Sequence, residues 1–136
     1  MRALVVEDSA VMRKVLERAL TQSSMEFSEV AVAANGLDAL ELMRKDELAG
    51  GTFDLVLCDI NMPLMDGLRF LEACQEEQLG TRSTIVMITS EGGEALVLRA
   101  IAAGAKGYLC KPFNGDQLRL RVLPLLEAAR ESALVR

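Results

Sequence analysis

The sequence predicts an α/β protein in which five strands of a doubly wound parallel sheet alternate with five helices. Three observations lead there. Phe53-Asp54-Leu55-Val56-Leu57-Cys58-Asp59 is short, has five apolar residues in seven and follows Gly50-Gly51, the pattern of a strand covered on both faces. Thr84-Ile85-Val86-Met87-Ile88-Thr89 is a second such run. Around them apolar residues return at helical spacing, and the connections are short. Pattern alone leaves the strand order open.

The elements follow in chain order. Arg2 to Glu7 is an apolar run ending in the acids Glu7-Asp8. Ser9 is suited to cap a helix through about Thr21, with Val11, Met12, Val15, Leu16 and Ala19 expected on its inner stripe. Glu29 to Ala34 is a second strand, and Asn35-Gly36 turns the chain into a helix carrying Leu37, Leu40 and Met43. Polar Lys45 to Thr52 reads as a long loop, into which the second helix trails an extra turn. Gly67 to about Glu77 is a third helix with Leu68, Leu71 and Cys74 inward. After Ser90-Glu91-Gly92-Gly93 comes an Ala-rich helix closed by Gly104, a residue suited to the position just past a helix end. Lys106 to Cys110 is a short fifth strand, stopped by Lys111-Pro112-Phe113. The last helix runs from near Gly115 towards Ser132. Pro124 inside it removes one hydrogen bond and crowds the carbonyl of Leu120, which predicts a kink or break.

A chain of 136 residues suits one domain, taken as 1–136, with a sizeable core. Aromatic residues are scarce, so that core must rest on aliphatic side chains and methionine. A net charge of −5 without a Lys/Arg stripe argues against a nucleic-acid partner. The absence of histidine removes the commonest general base and metal ligand, and means the chain carries no phosphohistidine of its own. Cys58, Cys74 and Cys110 lack metal-site spacing and read as reduced, semi-buried core residues. Ala3-Leu4-Val5-Val6 is too short to span a membrane or direct export, so a cytoplasmic protein without a membrane partner is expected.

Reactive side chains collect at strand ends. The first strand ends in Glu7-Asp8, the third in Asp59 and the fourth in Thr89, and Lys111 follows the fifth. In a parallel sheet those ends share one edge. Clustered carboxylates repel and need a cation, and oxygen donors alone favour Mg²⁺ over zinc. An ionised Asp beside a metal, an ammonium and a hydroxyl has the parts for phosphoryl transfer onto the carboxylate. Taken singly, Asp59 reads equally as a turn cap, Thr89 as an ordinary strand residue and Lys111 as a solvated lysine. It is the ordered set that points to a site.

That set, Glu7-Asp8, Asp59 with Asn61-Met62-Pro63 and Met65-Asp66-Gly67, Thr89, and Lys111-Pro112-Phe113, resembles the receiver domain of two-component response regulators. Val6-Glu7-Asp8-Ser9, Met12-Arg13 and Gly107-Tyr108 bring it nearest to stand-alone chemotaxis regulators. The resemblance covers nearly the whole chain and implies a flavodoxin-like sheet in the order 2-1-3-4-5. It further implies that Asp59 accepts phosphate from a histidine kinase. Asp8, Asp59 and the backbone carbonyl of Asn61 would bind Mg²⁺, with Glu7 acting through water. Thr89 and Tyr108 would move on phosphorylation, changing the face of helix four, strand five and helix five. Asn61 and Glu91 would tune dephosphorylation, and Lys111-Pro112 would be a cis peptide. Glu7 departs from the family's more frequent Asp.

The function expected is thus a signalling switch that turns over no separate substrate. Its target is a downstream protein, a flagellar motor switch or another signalling partner, and it acts as a monomer or a phosphorylation-dependent dimer. Two other readings compete. A small phosphatase with an aspartyl-phosphate intermediate usually has a second acid two residues after the nucleophile, where this chain has Asn61. A degenerate receiver acting as a constitutive binding module fits poorly with a full set of acids, Thr and Lys.

Overall fold

The computed structural model describes residues 1–90 and 93–135. The strands are β1 (Arg2–Val6), β2 (Glu29–Ala33), β3 (Leu55–Asp59), β4 (Thr84–Thr89) and β5 (Gly107–Cys110). They alternate with α1 (Ala10–Gln22), α2 (Gly36–Leu48), α3 (Gly67–Glu77), α4 (Glu94–Ala102) and α5 (Gly115–Val135). All pairings are parallel, and the sheet runs β2-β1-β3-β4-β5, the order that the resemblance implied.

Alternation along the strands divides the core in two. Leu4, Val6, Val56, Cys58, Ile85 and Met87 face α2, α3 and α4, against Leu40, Met43, Leu71, Cys74 and Ala100. Ala3, Val5, Leu55, Leu57, Val86 and Ile88 face α1 and α5, against Leu16, Leu20, Leu118 and Val122. Every residue of β3 and β4 is buried, which is why these runs carry no polar alternation.

Capping follows the sequence closely. The side chains of Ser9, Asn35 and Asp66 accept from the backbone amides of Met12, Asp38 and Arg69 at the starts of α1, α2 and α3. Gly104 follows the α4 cap Ala103 with φ +108°, a left-handed conformation that favours glycine.

Four local expectations need correction. Val11 is 74% and Val15 47% exposed, so the inner face of α1 is Leu16, Ala19 and Leu20 with half-buried Met12. Leu37 is exposed too, and α2 buries Ala39, Leu40 and Met43 instead. The extra turn expected of α2 is present, by contrast: Lys45 to Leu48 are helical, and the loop begins after them. Cys110 is exposed on the outer strand β5, whereas Cys58 and Cys74 are buried. Pro124 does not break α5. Pro124 and Leu120 both lie on the exposed side of that helix, where water can satisfy the carbonyl that the missing N–H leaves unpaired.

Candidate functional site

Strand order reverses between β1 and β3, the switch point at whose carboxyl ends open α/β sheets bind ligands. Val6 pairs with Cys58, so the next residues, Glu7 and Asp59, leave the sheet side by side. Asp59 pairs with Ile88, one residue before Thr89. Thr89 pairs with Cys110, one residue before Lys111. The Lys111 amide donates to the Thr89 carbonyl at 2.8 Å. Register therefore brings Glu7, Asp59, Thr89 and Lys111 to one edge.

Glu7, Asp8 and Asp59 each present a carboxylate oxygen within 4.8 Å of the others. Glu7 and Asp59 are buried and Asp8 is exposed. Lys111 Nζ donates to Glu7 Oε2 at 2.9 Å and to Asp59 Oδ2 at 3.0 Å. The remaining oxygens are held by backbone: Ser9 N–H donates to Glu7 Oε1 at 3.2 Å, and Ile60 N–H to Asp59 Oδ1 at 2.7 Å. Each buried acid is thus fixed by an amide on one side and the ammonium on the other.

Burial pushes the Glu7 carboxyl up to about 7; the bond from Lys111 pulls it back, and neighbouring Asp59 adds to the rise. Burial works against the Lys111 ammonium, yet its bonds to Glu7 and Asp59 outweigh that effect and raise it overall. Burial, reinforced by Asp59, lifts the Cys58 thiol far above its usual range, so Cys58 is an uncharged core residue behind the site. The carboxylates form an all-oxygen donor set that suits a hard divalent cation. Such an ion would offset the repulsion that remains among three acids when one ammonium is bonded to two of them.

The loop after β3 is drawn tightly over the site. Gly67 N–H donates to the Ile60 carbonyl at 2.8 Å, and a Cβ on Gly67 would overlap the carbonyl oxygen of Asp59. Only glycine permits that approach. Asn61 is exposed on this loop, and Met62 and Met65 pack half-buried against the core.

Thr89 is fully buried. Tyr108 is half-buried, pairs with Met87 and packs on the core face of α2, α3 and α4. Burial first, then nearby Cys110, raises its hydroxyl. The Lys111-Pro112 peptide is cis. Glu91, expected to tune dephosphorylation, lies outside the described residues.

Sequence reasoning gave no role to Arg13. Its Nη1 donates to the backbone carbonyls of Glu7 at 2.8 Å and Asp8 at 3.2 Å. The available signal was its place in the second turn of a capped helix, from which a long side chain leans back over the N-terminus.

A five-stranded parallel sheet in this order, with acids ending β1 and β3 and a lysine following β5, defines the class. The chain belongs to the response regulator receiver domain family, whose model matches residues 3–123. It is similar to chemotaxis proteins in particular. It is 33% identical over 126 residues to the chemotaxis protein CheY homolog of Campylobacter jejuni, covering 93% of this chain and 92% of that protein. It is 36% identical over 117 residues to the chemotaxis protein CheY of Bacillus subtilis, covering 86% and 90%. The CheX-CheY-BeF3-Mg²⁺ complex of Borrelia burgdorferi matches with a TM-score of 0.78 and 28% identity, over 92% of this chain and 88% of that one. Among the described residues, no helix is long and apolar enough to cross a membrane.

Proposed function

We propose that residues 1–136 act as one receiver domain, a cytoplasmic switch set by phosphorylation of Asp59. The observation that carries this reading is the Lys111 ammonium 3.0 Å from Asp59, with Glu7 and Asp8 beside it at the same sheet edge. An Asp59 oxygen attacks the phosphorus of a phosphohistidine on a partner kinase. A P–O bond forms as the P–N bond breaks, and the imidazole leaves with the electron pair. Asp8, Asp59, the Asn61 backbone carbonyl and, through water, Glu7 would hold Mg²⁺, which when bound neutralises charge on the transferred group.

Lys111 stays close to the reacting carboxylate and balances the incoming negative charge. Thr89 donates its hydroxyl to a phosphoryl oxygen once one is present. Tyr108 then turns inward, and the face formed by α4, β5 and α5 changes its affinity for a downstream protein. A flagellar motor switch or another signalling protein is the target class that the chemotaxis relatives suggest, with the chain acting as a monomer or a phosphorylation-dependent dimer. Asn61 and Glu91 set the rate at which water removes the group. No separate substrate is turned over. A CheY held with BeF3 and Mg²⁺ among the structural relatives supports this reading.

The test is incubation with Mg²⁺ and acetyl phosphate, followed by intact-mass measurement. The protein should gain one phosphoryl group and Asp59→Asn should gain none. An equal gain in Asp59→Asn overturns the assignment, and steady turnover of p-nitrophenyl phosphate would make the protein a phosphatase instead.

A further inference from the structure

Asp8 differs from the other two acids in what holds it. Glu7 and Asp59 are buried, and their oxygens are taken by amides and Lys111, whereas the exposed Asp8 carboxylate has no bonding partner among the described residues. What the fold can hold is therefore its backbone, and with it the direction of the Cα–Cβ bond. The two peptide planes flanking the Asp8 Cα are those of the Glu7 and Asp8 carbonyls. Both carbonyl oxygens accept from one atom, Arg13 Nη1, at 2.8 and 3.2 Å. Tying both planes to one nitrogen, with the Ser9 N–H bond to Glu7 as a second tie on the plane of the Asp8 carbonyl, restrains φ and ψ of Asp8, and so the direction in which its Cβ leaves the chain. The guanidinium is charged at every working pH and holds a rigid plane, so the restraint does not vary with conditions. Helix α1 anchors it, because Leu16, Ala19 and Leu20 are packed into the core beneath.

We infer that Arg13 is a positioning residue for the metal site: by clamping the Glu7 and Asp8 carbonyls it pre-aims the Asp8 carboxylate at the position of the cation. The inference rests on the receiver reading above. Without the clamp, Asp8 must lose backbone freedom when the cation binds, which weakens affinity but leaves the assembled site intact. Charge alone predicts the reverse, since removing a cation next to the site would favour binding of another.

Calorimetric titration of the metal-free protein with Mg²⁺ at pH 8 separates the two. Arg13→Met should weaken Mg²⁺ binding about tenfold, in the range found for groups that orient metal ligands. Melting in Mg²⁺ should show a correspondingly smaller stabilisation over melting in EDTA. Acetyl phosphate labelling at saturating Mg²⁺ should stay within about twofold of wild type, because only occupancy has changed. Arg13→Lys keeps the charge on a shorter stem without the rigid guanidinium plane that brings Nη1 to both carbonyls, and should stay weakened; it also serves should Arg13→Met not fold. Wild-type affinity in a folded Arg13→Met, or full rescue by Arg13→Lys, overturns the inference. Absence of Mg²⁺ binding by the wild type would instead remove the receiver reading on which it rests.

Discussion

Lys111 Nζ stands 3.0 Å from Asp59 Oδ2, so the cation that follows β5 meets the acid that ends β3 across the intervening β4. The same nitrogen reaches Glu7 beyond β1 at 2.9 Å. One ammonium thus ties the end of β5 to the two strand ends that carry buried negative charge.

Removing that ammonium leaves two buried acids facing each other. Breaking a buried pair costs about 3–5 kcal/mol, a value reduced here because Glu7 can take up a proton. Lys111→Met should therefore lose about 2 kcal/mol in EDTA at pH 8 and less at pH 6. Urea unfolding at the two pH values checks this, and equal losses at both would contradict it.

Glu7 makes the metal-free protein sensitive to pH. Its carboxyl titrates at about 7 when folded, against an ordinary value of 4.5. Between those values the folded chain keeps a proton that the unfolded chain has released. The contribution is complete below the lower value and is lost as pH rises through the upper one, at no more than about 1.4 kcal/mol per pH unit. Stability in EDTA, measured as wild type minus Glu7→Gln, should fall from pH 5 to pH 7 and then level. Mg²⁺ affinity should rise over the same interval as the competing proton leaves.

Asp8 contributes repulsion without a compensating bond until a cation arrives. Asp8→Asn should raise the melting temperature in EDTA by about 2–3 °C, a stability change below about 1 kcal/mol for a domain of this size. It should also abolish most of the further rise that Mg²⁺ gives the wild type. Paired melts with and without Mg²⁺ test both halves of the expectation.

Gly67 is required by closeness rather than by flexibility. Gly67→Ala would drive a methyl group into the Asp59 carbonyl oxygen and bring it to 2.7 Å from Met87 Cε. A loss of about 1–3 kcal/mol is expected, as for other overpacked sites. Because the displaced group is the backbone of Asp59 itself, labelling by acetyl phosphate should slow as well. Wild-type stability and rate together would show that the loop yields freely.

Much of this arrangement was legible in the chain. β3 and β4 announced themselves because strands covered on both faces have no reason to alternate. The carboxylates and Lys111 were found because parallel strands deliver whatever follows them to one edge. Strand order was not written in the pattern and came from the family resemblance. The errors share a cause in tertiary packing. Val11 and Val15 continue an apolar stripe on α1 that is wider than the face the sheet and α5 cover. The extra turn that Lys45-Asp46-Glu47-Leu48 add to α2 was expected, and it fits the helix preference of lysine, glutamate and leucine. Arg13 could not be found by residue type, because it acts on backbone carbonyls that any sequence would supply.

The most direct test of the account is to locate the modified residue. After brief treatment with Mg²⁺ and acetyl phosphate, borohydride reduction converts an acyl phosphate on aspartate to homoserine, which peptide sequencing by mass spectrometry can place. Homoserine is expected at position 59 alone, absent without Mg²⁺ or without the phosphodonor. Homoserine at position 8, or none in a protein that has taken up phosphate, would contradict it.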